Sequence, residues 1–523
     1  MAKNSVNILF VVSATVGSRV LGLLRDILIF ASFGTSALNS AFILAFTLPN
    51  LFRRLLGEGA LNAALLPTFT EELEKNGKKS AFIFLNQVIT RVLIILLIIT
   101  STLGLTLFAV GFVPGLNDRW YLGIELGIVL LPYLVLVCLA AIIHTSLNVL
   151  KRFTLAALSP IWLNLSMIIS LGIFGVYLAE SSIEKITYLC SGVIIGGIIQ
   201  LVLPAILLNR NGWYPKMNLD RTKRINELTS LYMPGLAGAA IYQINIVVTR
   251  FLAFHLDDTA VAILYLGNRL LELPLGVFAV AITTVIFPSL SKSAVRNNFK
   301  EFNLLFHQGV RMIIAITVPA ATGLIILREP ILTLLFEWGM FESYDVKQTM
   351  PIVSILAIAL PFYAIGAFTT RGFYALKDTT TPYRLAKINF IVNLFFSITL
   401  MSFLGLIGLA IANVLASVIH TFSLYWIIGK KIPSLNFSNI TLPVIKIIFA
   451  SFIMGCSVGL IWSGVNEKGL DPKLAAMIGV FILIPSAVIF YFILLWATRF
   501  DELKGLWAFI VNVLKREKLK EGN

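Results

Sequence analysis

The chain of 523 residues is 58% hydrophobic and only 13% charged, and its mean hydropathy is +0.91. Because soluble domains carry about 25% charged residues, this composition excludes a soluble globular protein and predicts an all-α polytopic membrane protein. The formal net charge of +15 would indicate a nucleic-acid partner in a soluble protein. Here we assign the excess to cytoplasmic loops and expect no nucleic-acid partner.

The amino-terminal segment carries no secretory cleavage signal. Arg19 and Arg25 interrupt its apolar run and no small-x-small site follows, so we expect it to be the first transmembrane helix. The three cysteines, Cys138, Cys190 and Cys456, lie in apolar segments without a CxxC neighbour. They therefore indicate neither a disulfide framework nor a metal knuckle.

Apolar segments of about 20 residues, the length that crosses a bilayer, recur along the chain and predict 14 transmembrane helices. The predicted spans are 8–32, 40–66, 82–112, 122–148, 157–179, 186–208, 229–254, 261–290, 304–327, 349–375, 384–403, 406–428, 442–463 and 473–498. Lys and Arg concentrate in the connections after even-numbered helices, which predicts that both termini are cytoplasmic. The longest predicted external loop is about Arg328–Gln348, and the charged tail 499–523 is predicted to lie on the inner leaflet.

Two pairs of segments resemble each other at nearly the same sequence offset. The pairs are 64–82 with 285–303, in which Pro67 stands opposite Pro288, and 146–164 with 371–389. The offsets of about 221 and 225 residues agree, and each segment follows an even-numbered helix, so the repeats are parallel. They predict two pseudo-symmetric six-helix lobes, a transporter architecture. The predicted domains are an N-terminal lobe 1–215 (helices 1–6), a C-terminal lobe 216–432 (helices 7–12), helices 13–14 in 433–498, and a cytoplasmic tail 499–523.

Helix 1 carries charges inside the predicted membrane span, where each costs roughly 3 kcal/mol or more at the bilayer centre. Arg19 and Asp26 are two turns apart and share a face, and Arg25 points about a third of a turn away. Such residues normally face a polar cavity or a partner. Arginine suits a phosphate or diphosphate because its planar fork donates two parallel hydrogen bonds.

Helices 2 and 8, which the repeat relates to each other, are also charged. On helix 2, Arg53 precedes Glu58, which two glycines flank at a point where the helix can bend. On helix 8, Arg269 and Glu272 share one face and precede Pro274. Together with helix 1, these residues predict a cationic cavity that holds an anionic group.

More ordinary roles are the alternative for several of these residues. Arg54, Arg91 and Arg250 are expected to snorkel to the interface or to serve the structure. Arg269 and Glu272 could pair only with each other. Asparagines and glutamines on helices 4, 5, 7 and 11, Asn164 among them, are expected to form hydrogen bonds between helices. No P-loop, HExxH or GxSxG motif occurs, so we expect neither ATP hydrolysis nor an enzyme, and no catalytic residue is predicted.

Four stretches carry a resemblance: SRVLGLLRD, LPNLFRRLLGEGA, NRLLELPLGVFAVAI and FYALKDTTTP. They closely resemble the MurJ (MviN) family of lipid II flippases, in the multidrug/oligosaccharidyl-lipid/polysaccharide exporter superfamily. The resemblance covers essentially the whole chain. It implies two lobes in a V shape, alternating access, and helices 13–14 forming a groove for an undecaprenyl tail. The implied substrate is the peptidoglycan precursor, a disaccharide-pentapeptide on undecaprenyl diphosphate.

The resemblance also implies roles for individual residues. Four arginines match the cavity arginines of the family, and two acids match its gate region. The predicted substrate-binding residues are Arg19, Arg25, Asp26, Asn50, Arg53, Asn164, Arg269 and Glu272. The predicted cytoplasmic gate pairs Glu58 with Arg371.

This sequence departs from the family at several charged positions. Ser40 and Thr47 stand where members often have an acid and a lysine, and Asn268 stands where some have aspartate. A sodium site of some members corresponds to Thr249, Asn389 and Asn393, which keep oxygen ligands but lack the carboxylates. Neutral oxygens hold a hard cation more weakly, so we predict at most a weak sodium site. No cofactor is expected, and sodium, a proton or the membrane potential are the open choices for coupling.

The predicted function is movement of lipid II from the inner to the outer leaflet of the bacterial cytoplasmic (inner) membrane. One alternative is a flippase for another polyprenyl-diphosphate oligosaccharide. Others are a drug/cation antiporter, which would favour a carboxylate-dominated cavity, and a non-transporting scaffold for cell-wall synthesis. The expected partners are lipid II, membrane lipids and the cell-wall synthesis machinery, with the chain itself a monomer.

Overall fold

The computed structural model describes residues 2–55, 60–152, 154–432 and 438–500. Every regular element within these ranges is a helix and none is a strand, which confirms the predicted all-α class. The helices are α1 (Ala2–Phe33), α2 (Ala37–Phe52), α3 (Ala60–Val110), α4 (Asp118–Val149), α5 (Thr154–Ile169), α6 (Ser182–Arg210), α7 (Lys223–Leu256), α8 (Ala260–Pro274), α9 (Val280–Val295), α10 (Phe299–Ile326), α11 (Arg328–Leu335), α12 (Ser343–Ala375), α13 (Thr380–Lys431), α14 (Ser438–Asn466), α15 (Pro472–Ile478) and α16 (Ile484–Ala497). Short π-helical segments follow α5, α8 and α15 at Ser170–Gly175, Leu275–Ala279 and Gly479–Leu483.

Ten helical stretches of the described chain are long and apolar enough to cross a membrane. Two helices, α3 with 51 residues and α13 with 52, would each be about 75 Å long if straight. Both break at a glycine with positive φ, Gly77 and Gly405. A side chain on Gly408 would lie 2.1 Å from the Leu400 carbonyl oxygen, so the chain folds back tightly at the predicted 403–406 connection. The count of fourteen spans stays a prediction.

Two pairs of residues with positive φ recur at nearly the offsets of the predicted repeat. Lys151 and Lys377 both adopt positive φ, near +58°, and lie 226 residues apart. Gly77 and Asn297 also adopt positive φ and lie 220 residues apart. These separations are within a residue of the two offsets of the sequence repeat. Because non-glycine residues rarely adopt this conformation, its recurrence at matched turns supports an internal duplication.

The chain divides into two compact units. The first is Met1–Ala262 with Trp338–Glu342, and the second is Ile263–Glu337 with Ser343–Asn523. Within the first unit α7 packs against α3 and α2, so α7 is compact with the helices that precede it. The predicted lobe boundary at 215/216 follows the sequence repeat and not the division into compactly packed units. This boundary stays a prediction. The predicted tail lies outside the described residues beyond Phe500.

The first unit is built around α4, which packs against α2, α3 and α6. A second buried layer joins α3 and α4 to the segment that follows α6. Leu85 of α3 and Leu147 of α4 are fully buried there with Trp213 of that segment and Leu228 of α7. This apolar layer holds the amino-terminal part of α7 against α3.

Side chains of α3 hold the extended segment between α6 and α7 at successive turns. Asn86 donates to the Tyr214 carbonyl at 2.9 Å and accepts from the Trp213 indole at 2.8 Å. Arg91 donates to the carbonyls of Leu219 and Asp220 at 2.8 and 2.7 Å. These bonds confirm the structural role predicted for Arg91.

The second unit packs α12 against α10 and α13, and α14 against α10. Gly309 of α10 leaves room for the Phe368 ring of α12, since a side chain at that glycine would lie 2.2 Å from the ring. The Tyr491 hydroxyl of α16 donates to the Ala315 carbonyl of α10 at 2.8 Å. The last two predicted spans are thereby attached to α10.

The short segment Trp338–Glu342 packs with the first unit, on the carboxyl-terminal end of α1. The Met340 amide donates to the Ala31 carbonyl at 2.8 Å, and the Phe341 ring meets Phe30 edge-on at 5.7 Å between centroids. Gly339 has a φ of +58°, and a side chain there would lie 2.3 Å from the Ala31 oxygen. Only glycine satisfies both the backbone conformation and the contact.

Candidate functional site

A buried polar network centres on Arg25 of α1. Its Nε and Nη2 donate to the Asp26 carboxylate at 3.1 and 2.7 Å, and its Nη1 donates to the Asn164 amide oxygen of α5 at 2.8 Å. The Asn164 amide nitrogen donates in turn to the Ser18 carbonyl of α1 at 3.1 Å. The side chains of Arg25 and Asp26 are 12% and 1% exposed, so a charged pair lies well inside the first unit.

Sequence spacing alone does not predict this pairing. Consecutive helical residues point about 100° apart, but the long Arg25 side chain curls back to Asp26. Removing both charges from water costs several kcal/mol per ion, and an apolar pair of similar volume is often as stable. The network is therefore expected to add little to the stability of the fold. Because it orients a guanidinium within a membrane helix, it favours a role in binding.

Helix α2 carries further residues predicted to bind the substrate. Asn50 donates to the Phe46 carbonyl at 3.0 Å, and Arg53 follows directly at the carboxyl-terminal end of the helix. Both are partly buried, whereas Arg54 and Arg19 of α1 are exposed. Arg19 thus lies apart from the buried Arg25 network, although it shares a helix face with Asp26.

In the second unit, Arg269 donates to Glu272 at 2.8 Å on the last turns of α8. This pairing is the more ordinary role that the sequence left open for the two residues, and their predicted role in substrate binding stays a prediction. Pro274 has no backbone N–H and so cannot donate a hydrogen bond to the preceding turn. The chain then continues as the π-helical segment Leu275–Ala279. Such segments are frequent at functional sites.

One contact was not predicted from the sequence. Arg250 of α7 donates from Nη1 to the Thr47 hydroxyl of α2. Thr47 is buried, and its hydroxyl donates to the Ile43 carbonyl at 2.6 Å. The two residues are 203 positions apart, and no local spacing signals that they meet.

The family model described as lipid II flippase MurJ matches residues 29–492 of the chain. The chain belongs to the MurJ lipid II flippase family. A relative from Rhizobium meliloti (strain 1021), named probable lipid II flippase MurJ, is 30% identical over 496 residues, which cover 92% of this chain and 91% of the relative. A relative of the same name from Bdellovibrio bacteriovorus is 30% identical over 502 residues, which cover 94% of each.

Solved structures agree with this assignment. A structure described as lipid II flippase MurJ in an inward closed conformation matches with a TM-score of 0.78 and 27% identity, over 94% of this chain and 99% of the other. An inward-facing transporter described as a multidrug resistance MATE family member of the MOP superfamily matches with a TM-score of 0.64, over 80% of this chain and 95% of the other. Its 15% identity shows a shared fold alone. The family makes the chain a multi-pass membrane transporter.

The two residues predicted to form the cytoplasmic gate are only partly described. Glu58 lies outside the described residues, as do the glycines that flank it. Arg371 is exposed on α12, four residues before that helix ends at Ala375. Their pairing stays a prediction.

The sodium ligands of some MurJ members correspond here to residues of both units. Thr249 belongs to the first unit and is partly buried. In the second unit, Asn393 is buried and accepts from Ser397 at 3.4 Å. The Asn389 amide oxygen is buried and has no hydrogen-bond partner among the described residues. In the described part of the chain no cluster of His, Cys, Asp or Glu could hold a metal ion. The weak sodium site stays a prediction.

Proposed function

We propose that this protein moves lipid II from the inner to the outer leaflet of the bacterial cytoplasmic membrane. The observation that carries the proposal is the buried network of Arg25, Asp26 and Asn164, which orients a guanidinium within a membrane-spanning helix. Family membership supplies the substrate class, since the matching family is that of lipid II flippases. The transported head group is anionic through its diphosphate.

The diphosphate would be held by exchange of hydrogen-bond partners. Arg25 and Arg269 each donate to a neighbouring carboxylate, Asp26 and Glu272. A diphosphate offers each guanidinium the same geometry with more charge, so it would take the place of the carboxylate that each arginine otherwise contacts. Arg19, Arg53 and Asn50 complete the proposed binding set, and Asn164 positions Arg25.

Alternating access of two six-helix lobes and fourteen spans are part of the same proposal. Support comes from the internal repeat and from the paired left-handed turns at Lys151 and Lys377. The bias of basic residues toward alternate connections supports cytoplasmic termini. In this orientation Arg53 lies toward the cytoplasm, where the substrate is made. Glu58 and Arg371 are the proposed cytoplasmic gate, and the chain is proposed to act as a monomer beside the cell-wall synthesis machinery.

The lipid tail has a proposed site in the second unit. An apolar groove of about 350 Å³ lies between α10 and α14. Gly455 of α14 faces Thr322 and Ile326 of α10, and a side chain at this glycine would lie 2.7 Å from Thr322. Isoprenoid carbons suit such a wall, and the position agrees with the predicted role of 433–498.

The test measures whether alanine variants of this protein support the growth of a bacterial strain depleted of its own flippase. We expect Arg25→Ala, Arg53→Ala and Arg269→Ala to abolish growth while the protein persists in the membrane. Arg54→Ala is the matched control, because Arg54 is exposed and adjacent to Arg53. Lipid II exposed on spheroplasts should fall with growth. Normal growth of the Arg25 and Arg269 variants would refute the proposal. Growth failure with lipid II still exposed would favour another polyprenyl-diphosphate substrate.

A further inference from the structure

A segment without regular secondary structure connects α6 to α7 in the first unit. We call this segment, residues 213–222, the strap. Trp213 at its start is buried in the same apolar layer as Leu85 of α3 and Leu147 of α4, so that end is fixed by packing. Beyond Trp213 most of the side chains are exposed. They point away from the packed interior, and α3 holds the strap through hydrogen bonds.

These hydrogen bonds show the level at which the strap lies. The strap begins beside Asn86, which accepts from its indole at 2.8 Å. Further along, the Asn218 amide donates to the Thr90 hydroxyl at 3.0 Å, and Arg91 donates to the Leu219 carbonyl at 2.8 Å. The strap therefore runs along α3 from the level of Asn86 to that of Arg91.

Arg91 marks one end of the apolar part of α3. Residues 92–117 contain no charged side chain. The helical part of this stretch, 92–110, is about 28 Å long, close to the thickness of a hydrocarbon core of about 30 Å. Ile95 and Ile98 follow Arg91 on the same face of the helix and are 52% and 60% exposed, as lipid-facing side chains are. The strap is therefore held where hydrocarbon meets water, on a lipid-facing side of α3.

The exposed side chains of the strap combine apolar and basic groups. Tyr214, Met217 and Leu219 are 70%, 71% and 59% exposed. Tyrosine is enriched at membrane–water interfaces, and Lys and Arg are attracted to anionic head groups. One acid, Asp220, lies in this stretch, so its net charge is positive. The exposed basic residues of the strap and of the first position of α7 are Lys216, Arg221 and Lys223.

We propose that the strap is an interfacial anchor that binds anionic phospholipids of the leaflet beside it. Its three apolar side chains enter the head-group region, and its basic side chains bind lipid phosphates. The partner is a lipid surface rather than a protein for two reasons: the strap continues the lipid-facing side of α3, and its charge complements anionic head groups. In the proposed orientation this is the inner leaflet. The inference does not depend on which substrate is transported.

The first experiment locates the strap relative to the bilayer, with the purified full-length protein in lipid nanodiscs. A fluorescent dye is attached at Met217→Cys in a Cys456→Ser background, because the other two cysteines are buried. The quencher is a phospholipid with a spin label near the carbonyl end of one acyl chain. We expect strong quenching at this position. The matched control is a dye at Lys79→Cys, an exposed position of α3 about 18 Å from Arg91 along the helix, which should stay unquenched.

The second experiment tests the charge by comparing two such quenchers, phosphatidylglycerol and phosphatidylcholine, on the dye at Met217→Cys. Phosphatidylglycerol should reach half-maximal quenching at a mole fraction about fivefold lower or less, the effect of one basic side chain near an anionic surface. Lys216→Gln/Arg221→Gln leaves the segment without net charge and should abolish this preference. Lys78→Gln/Lys79→Gln removes two exposed charges outside the strap and should keep it.

Two results would overturn the inference. Equal quenching at the two dye positions would place the strap in water and leave its apolar side chains to a protein partner. Equal quenching by the two lipids in the wild type would show that the strap does not select anionic head groups. The substitutions are all at exposed side chains, and an unchanged melting temperature checks that each variant folds. A protein that moves lipid II while its strap stays unquenched would refute the inference and leave the proposed function intact.

Discussion

Asp378, in the turn between α12 and α13, shows how one carboxylate can organise a connection. Its Oδ1 accepts from the Thr381 amide at 2.9 Å and the Thr380 hydroxyl at 3.0 Å. Its Oδ2 accepts from the Thr381 hydroxyl at 2.7 Å and from Lys431. Burial alone would raise the pKa of Asp378, but the hydrogen bonds from Lys431, Thr381 and Thr380 outweigh it and hold the pKa well below its usual range. The bonds also cap the start of α13.

We predict that Asp378→Asn lowers the melting temperature by a few degrees at pH 7, since losing a charged hydrogen-bond partner costs about 1.5 kcal/mol or more. The folded state lowers this pKa, so the stabilisation is present above the unfolded value of about 3.9 and disappears as the pH falls through the folded value. The difference between variant and wild type should therefore shrink below pH 4. Thermal unfolding in detergent from pH 7 to pH 3 measures it, with the exposed Asp220→Asn as control. A difference that does not vary with pH would contradict the assignment.

The site could be predicted from the sequence only residue by residue. Intramembrane charge singles out Arg25 and Arg269, and a three-residue spacing predicts the pair of Arg269 with Glu272. The contact of Arg25 with Asn164 spans 139 positions and follows from how α1 packs on α5, which no local pattern encodes. The contact of Arg250 with Thr47 spans 203 positions and likewise follows from how α7 packs on α2.

At the scale of elements, hydropathy predicted the helical class, and one predicted connection coincides with a glycine that breaks a helix. The break at Gly405 falls inside the predicted 403–406 connection, since a glycine there can adopt positive φ. The predicted external connection 328–348 contains α11 (Arg328–Leu335) and the start of α12, neither of which was predicted from the sequence. The eight residues of α11 are too few to produce the hydropathy pattern of a membrane-spanning helix. The Lys473 ammonium supports this short helix from α15 by donating to the Thr333 carbonyl at 2.7 Å, a contact that exists only after folding.

The segment Trp338–Glu342 depends on one glycine, which allows a sharp test. We predict that Gly339→Ala detaches it from α1, because alanine must adopt a φ of +58° and overlap the Ala31 oxygen. Gly469→Ala is the matched control, since Gly469 has a φ of +61° and a side chain there would have no described atom within 4 Å. Both variants incur the conformational cost of about 1 kcal/mol, but only Gly339→Ala adds the collision. Hydrogen exchange at the Met340 amide should accelerate in Gly339→Ala alone, and equal protection in both variants would contradict the prediction.

At the scale of the whole molecule, the charges of the proposed pathway bear on how transport is driven. Cations dominate the predicted binding set, and the positions that resemble a sodium site carry Thr249, Asn389 and Asn393 without a carboxylate. An anionic head group that moves outward is favoured by an inside-negative potential. Each charge gains about 2.3 kcal/mol per 100 mV, so the two charges of a diphosphate gain roughly 5 kcal/mol. The potential alone can therefore bias the direction of transport.

We predict that lipid II exposure on spheroplasts falls when the membrane potential is dissipated. It should not change when sodium is replaced by choline at constant potential, because neutral oxygens bind sodium weakly. Thr249→Asp combined with Asn393→Asp restores two carboxylates and should make transport sodium-dependent, whereas the neutral control Thr249→Asn should not. A wild-type rate that falls on sodium removal at constant potential would show that the neutral ligands suffice for coupling. A rate indifferent to the potential would show that the charge of the head group does not drive its movement.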